Sequence, residues 1–304
     1  MDPLSDLLRI VRLDGAYFYG VQAREPWSAE ALPAKELSPR IMPASDHLIS
    51  YHILREGRCY AWLVGGQPVE LIGGDVIVFP HGDAHVVASE PGLRGDLQTT
   101  VPSTFPFTMS RGDEGPLGAS LFCGFLGCDR RPFNPLLAAL PAQIHMRGMS
   151  NAWLGAFIDQ TTHESRGGHA GADSVLTRLA ELMFIDVLRR HLEELPPGQS
   201  GWLAGLRDDV VGQSLTLLHS RPGHPWTLGE LARESATSRS ILAKRFTDLV
   251  GQPPMQYLAQ WRMQVAAVAA EVGYDSEAAF SRAFKKATGL APGAWRGLHR
   301  GERP

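Results

Sequence analysis

The last quarter of the chain states one pattern twice, as SRSILAKRFTDLVG (Ser238 to Gly251) and SEAAFSRAFKKATG (Ser276 to Gly289). Each copy opens on a serine able to cap a helix N-terminus and closes on a glycine suited to the left-handed position past its end. The apolar stripes correspond: Leu242, Phe246 and Leu249 in the first copy, Phe280, Phe284 and Ala287 in the second, at i, i+4 and i+7. The chain must therefore build two equivalent helices. Their outer faces carry Arg239, Ser240, Ala243, Lys244 and Thr247, and then Glu277, Ala278, Ser281, Arg282 and Lys285, with Lys286 beside them. Such a mixture of cations with small or hydrogen-bonding side chains suits a DNA major groove. One such face alone could equally be solvated surface; its duplication favours a shared role.

Charge follows the same division. From Leu203 to Pro304 there are 13 Lys and Arg against 9 Asp and Glu, whereas residues 1–202 hold 16 against 23. A mildly basic module on an acidic body is compatible with phosphate contact. At 304 residues and 44% hydrophobic the chain has material for two or three packed domains, which excludes disorder as its main character. The cysteines, Cys59, Cys123 and Cys128, are too few for a disulfide framework, so a reducing cytoplasm is expected. The start, MDPLSDLLRIVRLDG, lacks the cations of a signal peptide, and no apolar run reaches membrane-spanning length, so no membrane partner is expected.

The periodicity predicts an amphipathic helix over residues 2–13, with Leu4, Leu7, Leu8 and Val11 on one side. From Ala16 to about Phe125 short β-forming runs follow (AYFYGVQA, HLISYHIL, CYAWLVG, PVELI, DVIVFP, HVVAS, SLFCGFL), broken by Gly, Pro and Asp, as in a barrel or sandwich. From Asn134 to Leu195 the period returns to 3.6, most clearly in DSVLTRLAELMFIDVLRRHLEEL, with Leu176, Leu179, Met183, Val187 and Arg190 nearly on one face and Leu182 and Phe184 widening it. That helix either covers the β-domain or meets its copy across a dimer axis. PPGQSG at 196–201 is the best linker. Beyond it, Asp209 to His219 reads as a support helix and Thr227 caps a helix at LGELARES, so the first repeat completes a helix-turn-helix. Its turn, Ser235-Ala236-Thr237, has no glycine where a positive φ is often required, at a cost of roughly 1 kcal/mol for alanine.

On GYDSEAAFSRAFKKATGLAPGAWR (Gly273 to Arg296), with WTLGELAR and SRSILAKRFTDLVGQPPMQYLAQWRMQ before it, the chain resembles the AraC/XylS regulators over about Leu203 to Arg300. The resemblance implies two helix-turn-helix units joined by a linker helix, with recognition helices in successive major grooves of double-stranded DNA. It departs after Gln264: the copies start 38 residues apart (276 minus 238), nearer than the family's spacing, and linker helix and second unit read as run together. A second unit misplaced in this way would weaken DNA binding.

GGDVIVFPHGDAH places Gly74, Pro80, Gly82 and His85 in the spacing G(x)5PxGxxH, which resembles the second motif of the cupins, a sensor arrangement found in front of this DNA module. The first cupin motif is poor: His47 and His52 have the wrong spacing, and strand alternation sends them to opposite faces. Only His52 is expected to join His85, with Cys123 as a third donor, a set suited to zinc, copper or another divalent metal, or to an effector. The competing reading makes Cys123 a small buried hydrophobe and the histidines core residues. A thiol switch involving Cys59, Cys123 and Cys128 is a further alternative.

The fold expected is α+β: a cupin-like β-barrel sensor over 1–133, a helical dimerisation or cover region and linker over 134–200, and an all-α double helix-turn-helix over 201–304. The function expected is a sequence-specific transcription regulator responding to a small molecule, metal or oxidant, with a homodimer and, for an activator, RNA polymerase as partners. The alternatives are a cupin-type metal-dependent enzyme and a regulator impaired by its shortened linker.

Overall fold

One strand organises the β-region. β3 (His47–Leu63) runs 17 residues, joining what the sequence reads as two strands, HLISYHIL and CYAWLVG. Its first half is buried and its middle, Arg55 to Arg58, is exposed. A register shift between Leu54 and Glu56 lets the strand bend there without ending. The computed structural model describes residues 4–5, 13–43, 45, 47–95, 108–112, 115–128, 135–148, 152–166, 169–196 and 201–271. These belong to two units, one formed by 11–130 with 140–195 and the other by 1–10, 131–139 and 196–304.

In the first unit β1 (Leu13–Arg24), β2 (Ser28–Ala31), α1 (Ala34–Ile41), β3, β4 (Val69–Ile72), β5 (Val76–Phe79), β6 (His85–Ala88), β7 (Thr108–Arg111), β8 (Leu117–Cys128) and β9 (Ile144–Met146) follow one another. The sheet order is β2-β6-β3-β8-β1-β7, with β4 and β5 also pairing on β3 and β9 on β5. The first half of β3 lies between β8 and β5 and its second half between β4 and β6, so the strand serves both ends of a curled sheet. The core packs Tyr19, Val21, Leu54, Cys59, Phe79 and Leu121 among its members.

The cupin-like turns take the conformations that their glycines allow. Gly74 and Gly82 have φ of 97° and 65°. A Cβ on Gly82 would lie 2.3 Å from the Ala34 Cβ and 2.6 Å from the Leu48 oxygen, so glycine is required there for space as well as for φ.

Two expectations change. The opening helix ends earlier than predicted, because Leu13 already begins β1; of that segment only Leu4 and Ser5 are described, and they are helical. The long helix α4 (Ala172–Glu194), which follows α3 (Ala152–Arg166), buries Leu176, Ala180, Met183, Phe184, Val187 and Leu188 and leaves Leu182 53% exposed. The buried stripe is thus turned away from Leu182, because α4 packs on β1, β8 and β9 and against α3 and uses two adjacent rows.

The second unit is helical where described: α2 (Pro135–Ala139), α5 (Trp202–Arg207), α6 (Asp209–Ser220), α7 (Leu228–Glu234), α8 (Arg239–Val250) and α9 (Pro254–Glu271). Its caps are those read from the sequence. Thr227 Oγ1 accepts from the Glu230 N–H at 3.2 Å, Ser238 Oγ accepts from the Ile241 N–H at 3.3 Å, and Gly251 closes α8 at φ 82°. Asp208 caps α6 through the N–H groups of Val210 and Val211 and also holds Arg245 of α8 in an ion pair. Leu242 and Phe246 are fully buried. Arg262 of α9 fastens the loop before α7, donating to the Pro222 and His224 carbonyls at 2.8 and 2.7 Å.

The turn between α7 and α8 carries the strain expected of it. Ala236 has φ 52°, the one positive value outside glycine among the described residues. Ala236→Gly should raise the urea midpoint of the helical unit by about 1 kcal/mol in stability. An unchanged or lower midpoint would show that the turn is unstrained.

Candidate nucleic-acid interface and sensor cavity

Helix α8 is held from behind and open in front. Leu242 and Phe246 face the α6 and α7 side, and the Ser214 and Ser235 hydroxyls, 2.7 Å apart and buried, tie α6 to the turn that launches α8. Opposite the buried stripe stand Ser240, Lys244 and Thr247, all exposed. Arg239 is exposed too, but its Cδ lies beside Gly229 of α7, so it extends from the flank of that face. Lys244 Nζ bonds Asp248 Oδ2 at 2.7 Å, a pair open to solvent on both sides and so worth little by itself.

Two residues on this face escape the sequence reading. Ile241 is 49% exposed beside Ser240 and Lys244, and Asp248 is its neighbour two turns on. Their one signal was the i, i+3, i+7 relation to the polar positions, which an apolar and an acidic side chain obscured. Glu277, Ser281, Arg282, Lys285 and Lys286 of the second copy lie outside the described residues. Helix α9 runs unbroken through Gln264 and Val265 for 18 residues.

In the β-unit the structure brings the three anticipated residues to one cavity of about 20 Å³, which Trp27, Met109 and Arg111 also line. Register explains this: His52 on β3 lies directly across from Cys123 on β8, and cross-strand partners share a face. His85 enters from β6 at the start of its strand. The Nε2 atoms of His52 and His85 are 2.8 Å apart, and His85 Nδ1 donates to the Asp83 carbonyl at 3.0 Å. His47 is elsewhere, as alternation requires, with its Nε2 at 2.7 Å from the Pro80 oxygen.

Burial pushes His85 down to about 4, and burial together with His85 holds His52 well below the usual imidazole value. Both rings are neutral at pH 7. The donor set does not fit a metal centre: among the described residues no group of three or more His, Cys, Asp or Glu is gathered so as to hold an ion. The thiols are also quiet. Burial pushes Cys59 up to about 12 and raises Cys123, and all three cysteines are buried and in no disulfide. Cys123 and Cys128 are five residues apart on one extended strand, about 17 Å and on opposite faces, far beyond the reach of a disulfide.

Residues 2–193 match the cupin family model and residues 231–297 the helix-turn-helix domain model. An AraC-like transcription regulator of Streptomyces antibioticus is 33% identical, with 97% of this chain and 98% of that protein covered. The chain belongs to the AraC-like transcription regulators. AlkR of Acinetobacter baylyi, an HTH-type transcriptional regulator, is 29% identical over 97% of this chain and 99% of its own. Alignment with the Streptomyces antibioticus protein runs 321 positions across 97% of 304 residues, about 295, so that relative carries stretches which this chain lacks. Among solved structures, ToxT of Vibrio cholerae is similar at 11% identity and TM-score 0.32, covering 95% of this chain and 96% of its own. The protein is thus a DNA-binding transcriptional regulator with a cupin N-terminal region, and its relatives are named regulators, not enzymes. No helix among the described residues is long and apolar enough to cross a membrane.

Proposed function

We propose that this regulator reads operator DNA through the outer face of α8, with Ser240, Lys244 and Thr247 at base edges and phosphates, Arg239 at the flank, and Ile241 against a thymine methyl. The observation that carries this is the exposed face of a helix whose opposite side is buried and whose start is capped and braced. Lys244 would exchange Asp248 for phosphate, a small cost because the pair is solvated. Glu277, Ser281, Arg282, Lys285 and Lys286 would act in the second unit. The division into a sensor over 1–133, a helical region over 134–200 and a DNA-binding module over 201–304 is part of the same reading.

The effector would be a small molecule in the cavity shared by His52, His85 and Cys123, bound better in one arrangement of the protein and so shifting its population. A divalent ion such as zinc is disfavoured by the two-imidazole donor set. A cytoplasmic homodimer, contacting RNA polymerase if it activates, completes the proposal.

DNA selected from a randomised pool by the full-length protein supplies the operator for the test. Lys244→Ala should weaken binding roughly tenfold and reduce the salt slope by about one. Wild-type affinity with an unaltered slope would remove α8 from the interface.

A further inference from the structure

The walls of the β-unit cavity are mainly apolar, with Val21, Val87 and Leu121 among them, yet three lining residues carry buried polar atoms without a hydrogen-bond partner: Trp27 Nε1, His52 Nδ1 and Arg111 Nε. Trp27 and His52 are 4% and 5% exposed. Arg111, at the end of β7, makes no ion pair among the described residues. Arg111 is half-buried, but its buried Nε has no acceptor, and the complement of such a cationic donor is an anion.

The histidine pair defines what else the ligand must carry. A carbonyl oxygen only accepts, so the proton of His85 is on Nδ1, facing Asp83, and its Nε2 is bare. His52 must then donate from Nε2, which leaves His52 Nδ1 a lone pair with no donor. The residues lining the cavity therefore leave two N–H donors, one of them cationic, and one acceptor unpaired. Chloride has no hydrogen to give His52. A carboxylate that takes up one proton from solvent on binding matches all three: its oxygens accept, and the added proton is shared between one of them and the imidazole nitrogen. At about 20 Å³ the space admits one or two water-sized groups, which limits the ligand to a few non-hydrogen atoms.

The geometry points to a binding site for a small monocarboxylate, formate or acetate in size, whose oxygens receive hydrogen bonds from Arg111 and Trp27 and which binds with one proton shared with His52 Nδ1. The short alkyl end lies against Val21, Val87 and Leu121. This rests on the effector reading of the cavity given above and names the ligand class.

Calorimetric titration of the full-length protein with sodium acetate tests the site, with sodium chloride and acetamide as controls. Saturable acetate binding is expected, roughly tenfold weaker in Arg111→Gln and in Trp27→Phe, with neither control binding. No acetate binding to the wild type, or equal binding to Arg111→Gln, overturns the assignment. If either variant misfolds by circular dichroism, acetate against acetamide on the wild type decides, and equal binding of the two counts against the site. DNA titrations on the same samples separate the two readings. Acetate bound without change in DNA affinity leaves the site standing and overturns its effector role; DNA bound without any acetate binding overturns the site alone.

Discussion

Insertion of about a dozen helix-and-turn residues after Gln264 should tighten binding to two-groove operator DNA on the order of 100-fold, because a second tethered contact acts at high effective concentration only when the tether spans the sites. Helix α9, Pro254–Glu271, extends about 27 Å at 1.5 Å per residue. Successive major-groove faces recur at about 34 Å. The second serine-to-glycine copy begins at Ser276, only five positions past the end of α9, where the resembled family finishes one helix, turns, and starts another. Fluorescence anisotropy on a two-site and a one-site duplex distinguishes the cases: a gain restricted to the two-site duplex supports the short-tether account. No gain on either removes it, and would mean that the first unit supplies the affinity or that the run-on helix already reaches.

The largest single-atom effect on stability is expected at Tyr257. Its hydroxyl accepts from Trp202 Nε1 at 3.0 Å and is hydrogen-bonded to His219 Nε2 at 2.7 Å, in a cluster where His219 stacks on Trp261 at 4.0 Å between ring centres. Burial lowers His219 to about 3, so its ring is neutral and its Nε2 depends on that hydroxyl. Tyr257→Phe keeps the ring and orphans two buried groups, for an expected loss of about 2–4 kcal/mol. Tyr51 is the control. It is also fully buried, but its hydroxyl has no partner, so Tyr51→Phe should be neutral or slightly stabilising. Urea unfolding followed by fluorescence measures both, and equal costs at the two tyrosines would show that these hydrogen bonds are not what matters.

Much of the helical unit was legible because its determinants are local. Thr227, Ser238 and Gly251 act within one turn of their own position, so they mark the ends of α7 and α8 before any packing is known. Ala236 was legible for the same reason, a turn geometry imposed on a residue that disfavours it. In the β-unit, the spacing of Gly74, Pro80, Gly82 and His85 identified the turns, and strand alternation separated His47 from His52.

What escaped depended on partners distant in the chain. Nothing local joins the two halves of β3; pairing with β8 and β5 on one stretch and with β4 and β6 on the next makes them a single strand. β2 and β7 are four-residue strands too short to show a period and owe their form to neighbours, as β7 does to its parallel pairing with β1, while α1 has its apolar side obscured by Pro39 inside it. Leu182 looked like core because its own helix is apolar on several sides, and only the position of the sheet selects the buried rows. Ile241 went unread because its apolar side chain hid its place on the polar face, and its exposure follows from the way α8 is seated on Leu242 and Phe246.

The sequence by itself determined helix α8, its caps, its strained turn and the pair His52 and His85, because each is set by residues within a few positions or by a fixed period along the backbone. The tertiary structure alone decided that Trp27 and Arg111 join those histidines with unpaired hydrogen-bonding atoms, and that the cysteines are buried as thiols. Both outcomes arise where strands distant in sequence close on one space, since desolvation and missing partners belong to that space and to no single residue.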